Sequence, residues 1–210
     1  MSEFKALIVD FGGVLTTPLQ DAMAGYAESL GIELQDLVRV ALRAYAGEDD
    51  NLVTGFETGR VPEDEFAVAF AERLSEVTPK PVDPGTVVDG LFAGMSLEDD
   101  MFEAVAAARA HGLRTGLLSN SWSLRHYPRK LMDGAFDSLV ISGEVGLRKP
   151  EPAIYRLAVE RLGVTAKECV FVDDHPGHLK AALDEGMTTV LHRTPVQTRA
   201  ELRELLGIPL

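Results

Sequence analysis

Several side chains that could do chemistry follow directly on short apolar runs of the sequence. They are Asp10, the pair Ser119-Asn120, the basic pair Arg148-Lys149 and the acidic pair Asp173-Asp174. Any one of the Asp, Ser and Asn residues alone is typical of a helix cap, because these side chains bind the free N–H groups at the start of a helix. Carboxylates gathered in one place, however, repel one another unless a cation or a lysine lies among them. As a set, these residues predict a shared site that holds positive charge.

The apolar runs are interpreted as strands of a parallel sheet. From residue 97 onward, strands alternate with helical patterns, whose apolar residues are spaced three and four apart. The predicted strands are residues 5–10, 113–120, 138–142, 169–174 and 188–192. Such alternation forms right-handed crossovers, and open parallel sheets bind ligands beyond the carboxyl ends of their strands. We therefore predict an α/β fold with a Rossmann-like parallel sheet, and a site at that edge of the sheet.

Residues 18–95 carry no convincing strand pattern. Three helical patterns lie at 18–31, 33–47 and 61–77, and the turn-rich sequence TPKPVDPG follows at 78–85. A further helix is predicted from about Ser123 to Met132. We therefore predict an α/β core made of residues 1–16 and 96–210, with an all-helical cap of residues 17–95 inserted after the first strand.

The composition restricts the partners of the protein. The chain has 210 residues, 46% of them hydrophobic, which is enough for one substantial core with a smaller attached unit. The net charge of −13 argues against binding to nucleic acid or anionic membranes. Cys169, the single cysteine, is interpreted as a core residue. Since the sequence has no signal-peptide pattern and no membrane span, we expect a cytoplasmic protein.

Four segments in order carry a resemblance to a known family. They are LIVDFGGVLTT at 7–17, LLSNS at 117–121, SGEVGLRKPEPAIYRLAVERLG at 142–163 and VFVDDHPGHLKAALDEGM at 170–187. Together they resemble the haloacid dehalogenase superfamily of hydrolases, in the branch with a helical cap after the first motif. The segment FETGRVPEDEF at 56–66 resembles a cap segment of sugar-phosphate phosphatases and of the phosphatase domain of soluble epoxide hydrolase.

The resemblance implies a nucleophile and a metal site. Asp10 would attack phosphorus and form an aspartyl-phosphate, which water then hydrolyses. A Mg²⁺ ion would be held by the side chain of Asp10, the backbone carbonyl of Gly12 and Asp174. Asp173 would be a further or water-mediated ligand of this ion, whose preference is for hard oxygen donors.

The resemblance also implies how the phosphoryl group is bound. Ser119 and the backbone of Asn120 would hold the phosphoryl oxygens, and Lys149 would stabilise Asp10 and the developing charge. We expect Lys149 to be needed for chemistry rather than for folding. The chain is thus expected to be a metal-dependent phosphatase that acts on a small phosphorylated metabolite.

Gly12 departs from the usual first motif of the superfamily. That motif has a second aspartate two residues after the nucleophile, where it serves as general acid to the leaving group. Glycine keeps the backbone carbonyl for the metal but cannot donate a proton. We therefore expect a preference for good leaving groups, such as those of aryl, acyl or anomeric sugar phosphates.

Other polar residues near the motifs stay unassigned. His175 and His178 follow the acidic pair, and neither is predicted to be a metal ligand. Trp122, which is equally compatible with a core position, could contact substrate, as could three residues that follow it, Arg125, His126 and Tyr127. Arg60 in the cap is interpreted as an exposed arginine that could also meet an anionic group.

Two other functions are compatible with these motifs. One is a metal-independent 2-haloacid dehalogenase, in which the same aspartate attacks carbon. The acidic pair Asp173-Asp174 favours the metal-dependent reaction instead, because such dehalogenases have a Ser/Asn-rich fourth motif. The other is a non-catalytic phosphate- or partner-binding module. The presence of Asp10 and Lys149 argues against a binding module, because such a module needs no nucleophile beside a metal. The oligomeric state does not follow from the sequence.

Overall fold

The structure, a computed structural model, describes residues 4–45 and 51–210. Its strands are β1 (Ala6–Val9), β2 (Arg114–Ser119), β3 (Ser138–Ile141), β4 (Cys169–Asp173) and β5 (Thr188–Leu191). They form one parallel sheet in the order β3-β2-β1-β4-β5, with Val9 of the central strand opposite Leu117 and Val172. The predicted α/β fold with a Rossmann-like parallel sheet is therefore confirmed.

In the sequence, a helical cap is inserted between β1 and β2. Its helices in the described part of the chain are α1 (Leu19–Leu30), α2 (Leu34–Tyr45), α3 (Leu52–Glu57), α4 (Glu63–Ser75) and α5 (Pro84–Phe92). Their apolar faces pack on one another in a core of their own, where the ring of Phe66 stacks on those of Phe56 and Phe70. The insertion of an all-helical cap after the first strand is thus confirmed.

Two adjacent backbone segments join the cap to the α/β core. Thr16 and Leu97 form an antiparallel bridge, and the N–H of Thr17 donates to the carbonyl of Ser96 at 2.9 Å. These contacts lie beside the predicted boundaries at 17 and 95, which stay a prediction. Residues 1–3 of the predicted core, and residues 46 and 47 at the end of the second helical pattern, lie outside the described residues.

Helices also cover both faces of the sheet. They are α6 (Asp99–Ala110), α7 (Arg129–Ala135), α8 (Ser142–Val145), α9 (Pro152–Leu162), α10 (Pro176–Asp184) and α11 (Pro195–Leu206). Because side chains alternate along a strand, Leu7 and Val9 pack with α6 and α11, whereas Ala6 and Ile8 pack with α9 and α10. Among the described residues, no helix has the length and apolar character needed to cross a membrane.

The helix predicted from about Ser123 to Met132 was wrong as a single element. The structure has a 3₁₀ turn over Leu124–His126, and α7 begins only after Pro128. The proline ring disfavours the helical conformation in the residue before it, and Tyr127 is accordingly extended, with φ −78° and ψ 127°. The break leaves Tyr127 free to point into the site described next.

Candidate active site

Asp10 follows β1 at the carboxyl edge of the sheet. Its backbone N–H donates to the carbonyl of Val172 at 2.9 Å, which continues the pairing of β1 with β4. Its Oδ1 accepts a hydrogen bond from the N–H of Phe11 at 2.7 Å. With only 7% of its surface exposed, Asp10 is a buried carboxylate that needs a partner of opposite charge.

Lys149 is that partner. Its side chain is fully buried, and Nζ lies 2.9 Å from Oδ2 of Asp10 and 2.6 Å from Oδ2 of Asp173. The side-chain amide of Asn120 binds both backbone polar groups of Lys149. Its Oδ1 accepts from the N–H of Lys149 at 2.8 Å, and its Nδ2 donates to the carbonyl of Lys149 at 3.0 Å. The side chain of Asn120 therefore positions the lysine, a role that the sequence did not indicate.

Asp173, the last residue of β4, connects Lys149 to two histidines. Its Oδ1 accepts from the N–H of His175 at 2.7 Å and lies 3.1 Å from Nδ1 of His178. Within the described chain, Asp10, Asp173 and His178 each offer one potential ligand atom, and these atoms lie within 4.8 Å of one another. His178, which the sequence left unassigned, thus faces the same group of acids.

Two glycines after Asp10 differ in their surroundings. Gly13 has a φ of +72°, and a side chain there would overlap Oδ2 of Asp174. Glycine at this position therefore lets Asp174 approach the loop that follows Asp10. At Gly12, by contrast, an added Cβ would meet nothing within 4 Å. The space next to Gly12, where the superfamily's usual second aspartate would place its side chain, is therefore open.

The carboxylates of the site share one buried cation. Burial, opposed by Lys149 and reinforced by Asp173 and Asp174, raises the pKa of Asp10 to about 7. Burial and the neighbouring Asp173 also raise the pKa of Asp174. Burial acts on Asp173 too, but Lys149 and His178 outweigh it and hold the pKa of this carboxyl well below its usual range. The site is therefore short of positive charge, and its oxygen donors fit a hard divalent cation such as Mg²⁺.

Ser119 ends β2 next to the central strand. Its hydroxyl lies 2.9 Å from the hydroxyl of Tyr127, whose ring centroid is 4.7 Å from that of Phe11. Burial raises the pKa of Tyr127, so that its hydroxyl stays protonated at neutral pH and can donate to Ser119. Tyr127 was named from the sequence only as a candidate for substrate contact, and its contact with Ser119 was not foreseen.

A cavity of about 60 Å³ lies between the cap and this edge of the sheet. On the core side it is lined by Gly12, Ser119 and Asn120. Apolar and aromatic residues complete the lining: Phe11, Leu19, Phe92, Met95, Trp122, His126 and Tyr127. Polar groups of the core therefore face apolar and aromatic side chains across this space.

Residues of the loop after β2 that the sequence singled out also contact the cap. Nε1 of Trp122 donates to Glu57 at 3.0 Å, and Nε of Arg125 donates to Glu63 at 2.7 Å. Arg60, in contrast, is exposed on the cap. The sequence did not single out Glu57, although it lies in the segment FETGRVPEDEF that carried the resemblance of the cap.

Known proteins resemble this chain along nearly its whole length. It is 29% identical over 215 residues to acyl-CoA dehydrogenase family member 10 of Mus musculus, with 99% of this chain and 20% of the relative covered. It is 27% identical over 217 residues to a sesquiterpene phosphatase of Aspergillus oryzae, with 97% of each covered. The chain spans two fifths or less of the length of several curated relatives that it matches.

A solved structure and a family description agree with these relatives. A haloacid dehalogenase family enzyme from Bacteroides thetaiotaomicron, solved with magnesium and inorganic phosphate, superposes with a TM-score of 0.67 at 20% identity. The superposition covers 90% of this chain and 94% of that enzyme. The family model of the haloacid dehalogenase-like hydrolases matches residues 4–186 of this chain. On the ground of this match, the chain belongs to the haloacid dehalogenase-like hydrolase family.

Proposed function

We propose that this chain is a metal-dependent phosphatase that hydrolyses a small phosphate monoester through an aspartyl-phosphate on Asp10. The proposal depends on one observation, the buried ion pair of Asp10 with Lys149 beside a cavity at the carboxyl edge of the sheet. A carboxylate can act as nucleophile only while it is ionised, and a lysine at 2.9 Å favours that form. A phosphatase among the relatives of matching length supports this choice.

The cation would be held by Asp10, the backbone carbonyl of Gly12 and Asp174, with Asp173 as a further or water-mediated ligand. The shortage of positive charge among these acids and their oxygen donors support Mg²⁺ in this role. Such an ion supplies charge neutralisation for the phosphoryl oxygens when it is bound. A related enzyme of the same fold has been solved with magnesium and phosphate.

The reaction would proceed in two displacements at phosphorus. In the first, an oxygen of Asp10 bonds to phosphorus and the bond to the leaving oxygen breaks; that oxygen takes the electron pair, departs as an anion and is protonated by solvent. In the second, water attacks the same phosphorus and loses a proton to solvent, the bond to Asp10 breaks with its electron pair returning to the carboxylate, and inorganic phosphate is released. Lys149 stabilises Asp10 and the charge that develops, while Ser119 and the backbone of Asn120 bind phosphoryl oxygens.

The substrate class would follow from Gly12 and from the cavity. Since glycine donates no proton to the leaving oxygen, the best substrates would be those with good leaving groups, such as aryl, acyl or anomeric sugar phosphates. The lining by Leu19, Phe92 and Trp122 favours an apolar group next to the phosphate. The cap, with boundaries near residues 17 and 95, would act as the lid over this small cytoplasmic metabolite.

Release of phosphate from 4-nitrophenyl phosphate, measured after treatment with a chelator and again after addition of Mg²⁺, tests the proposal. We expect turnover only with the metal. Release of halide from a 2-haloacid in the presence of the chelator would instead identify a metal-independent dehalogenase. Binding of phosphate without turnover under either condition would identify a binding module.

A further inference from the structure

Glu57 is a buried carboxylate to which the proposed reaction gives no role. It is the last residue of α3, and 1% of its surface is exposed. A glutamate is almost never buried to this extent unless it is paired, because its charge would be left without solvent or partner. The groups that surround it therefore indicate what it does.

The partners of Glu57 come from both sides of the boundary between the cap and the core. From the core, Nε of Arg148 lies 2.7 Å from Oε2, and Nε1 of Trp122 donates to Oε1 at 3.0 Å. From the cap, the hydroxyl of Tyr45 donates to Oε1. The guanidinium of Arg148 also lies over the ring of Tyr45, 5.4 Å from its centroid. This arrangement is complete only when the cap is seated on the core.

The backbone next to Glu57 adds further contacts across the same boundary. Its carbonyl accepts a hydrogen bond from the hydroxyl of Ser142 at 2.5 Å, and that hydroxyl accepts from the N–H of Ser121 at 2.7 Å. A side chain at Gly59 would overlap the carbonyl oxygen of Gly143, so the two backbones are in close contact there. The cap segment around Glu57 therefore rests on the loop that follows β2 and on α8, which follows β3.

The loop after β2 and the segment that follows α8 carry groups that surround Asp10. Arg148 directly precedes Lys149, whose Nζ lies 2.9 Å from Asp10. Trp122 lies two residues after Asn120, whose amide binds the N–H and the carbonyl of Lys149. One carboxylate of the cap thus contacts the neighbour of the lysine and the loop that holds the lysine.

We propose that Glu57 is a positioning residue for Lys149: with the cap seated, its carboxylate fixes Arg148 and Trp122, and through them the backbone that presents Lys149 to Asp10. A buried ion pair holds two surfaces together no better than apolar packing does, but it fixes their register. A carboxylate that accepts two hydrogen bonds on one oxygen and pairs with a guanidinium at the other suits that purpose. Cap closure and placement of the lysine are thereby coupled. The kinetic part of this inference rests on the proposed phosphatase function.

The full-length variant Glu57→Gln tests the coupling, because it removes the charge while keeping the shape of the side chain. We expect kcat for 4-nitrophenyl phosphate with Mg²⁺ to fall by about 10- to 100-fold, the effect of displacing a catalytic group by a fraction of an ångström to an ångström. KM should change less, because Glu57 contacts no group placed on the phosphate and contacts one residue of the cavity lining, Trp122. Arg148→Lys, which keeps the charge but loses the planar guanidinium that pairs with Glu57 and lies over the ring of Tyr45, should show the same split. It also serves as the test if Glu57→Gln does not fold.

A second readout requires no turnover. Trp122 is the single tryptophan of the chain, so intrinsic fluorescence reports on the contact with Glu57 directly. In the presence of Mg²⁺ and inorganic phosphate, acrylamide should quench Trp122 more strongly in Glu57→Gln than in the wild type. Equal quenching in the two proteins would overturn the proposal.

Glu63→Gln is the matched control. Glu63 also crosses the boundary, since it accepts hydrogen bonds from Ser123 and Arg125 at 2.7 Å each, but its side chain is 35% exposed. Because an exposed pair contributes little, kcat should stay within about twofold of the wild type.

The outcomes separate this inference from the proposed function. Wild-type turnover with an unchanged kcat in Glu57→Gln would overturn this inference alone. Loss of kcat equal to that in Glu63→Gln would overturn it too, because any contact between cap and core would then have the same effect. Absence of turnover in the wild type would overturn the proposed function and, with it, this inference.

Discussion

Replacing Lys149 with methionine should destabilise the fold as well as abolish turnover. Methionine is similar in length but removes a charge that lies 2.9 Å from Asp10 and 2.6 Å from Asp173. Breaking a buried ion pair typically costs about 3–5 kcal/mol, because the remaining charge is left without compensation. Full burial between two acids thus changes the expectation from the sequence, which was that Lys149 serves chemistry rather than folding.

The size of the effect follows from the two carboxylates. Asp10 has a pKa of about 7 even with Lys149 present. In the variant it will therefore take up a proton at pH 7, and little free energy will be lost through an unpaired charge on Asp10. Asp173, whose pKa is held well below its usual range, keeps His178 as a neighbour but loses its closest cation. We therefore expect a loss near the lower end of that range, about 3 kcal/mol in the free energy of unfolding.

Urea unfolding at pH 7 in the presence of a chelator measures this loss. Lys180→Met is the control, because Lys180 is exposed and pairs with Asp184 at 2.7 Å on the same helix, where an ion pair contributes about 0.5 kcal/mol or less. Addition of Mg²⁺ should recover part of the stability of Lys149→Met, since the ion would neutralise the same carboxylates. A midpoint for Lys149→Met equal to that of the wild type would refute the reasoning.

Three further predictions concern the same site. Asp10→Asn should abolish release of phosphate from aryl phosphates while leaving the melting temperature unchanged or higher, because it removes a carboxylate whose burial opposes ionisation; turnover near the wild-type rate would exclude Asp10 as nucleophile. Gly12→Asp should flatten the dependence of rate on leaving-group pKa across a series of aryl phosphates, because open space is present at that Cβ and a general acid is typically worth about 10²–10⁴-fold; a flat dependence in the wild type would show that another group supplies the proton. Mg²⁺ should raise the melting temperature of the wild type, by the equivalent of about 2.7 kcal/mol at 100 times its Kd; scanning fluorimetry without any shift would contradict a metal site.

The fold could be predicted from the sequence because its signals are local. The alternation of strands and helical patterns after residue 97 defines a parallel sheet, and the strand ends then place Asp10 and Asp173 on neighbouring strands. The roles of these residues stay predictions. The split around Pro128 could also have been found locally, since the proline and its effect on Tyr127 are visible in the sequence.

Other features could not be predicted, because they depend on contacts between distant parts of the chain. The amide of Asn120 binds the backbone of Lys149, 29 residues away, and the local sequence of neither segment indicates this contact. Glu57 and Trp122 are 65 residues apart and meet only because the cap folds back on the core. A glutamate at the end of a short helix has an ordinary local pattern, and its burial becomes visible only in the tertiary structure.

The bridge between Thr16 and Leu97 makes the cap topologically equivalent to the turn of a hairpin. The chain leaves the α/β core and returns to it at one place, so the two ends of the insert are held next to each other. The entropy of closing a loop rises only with the logarithm of its length, and exchange of one helical insert for another changes the stability of the core little on that account. Exchange of the insert would thus change the strands little, but it would remove the contacts that Glu57 makes with the segments that carry Lys149 and Asn120.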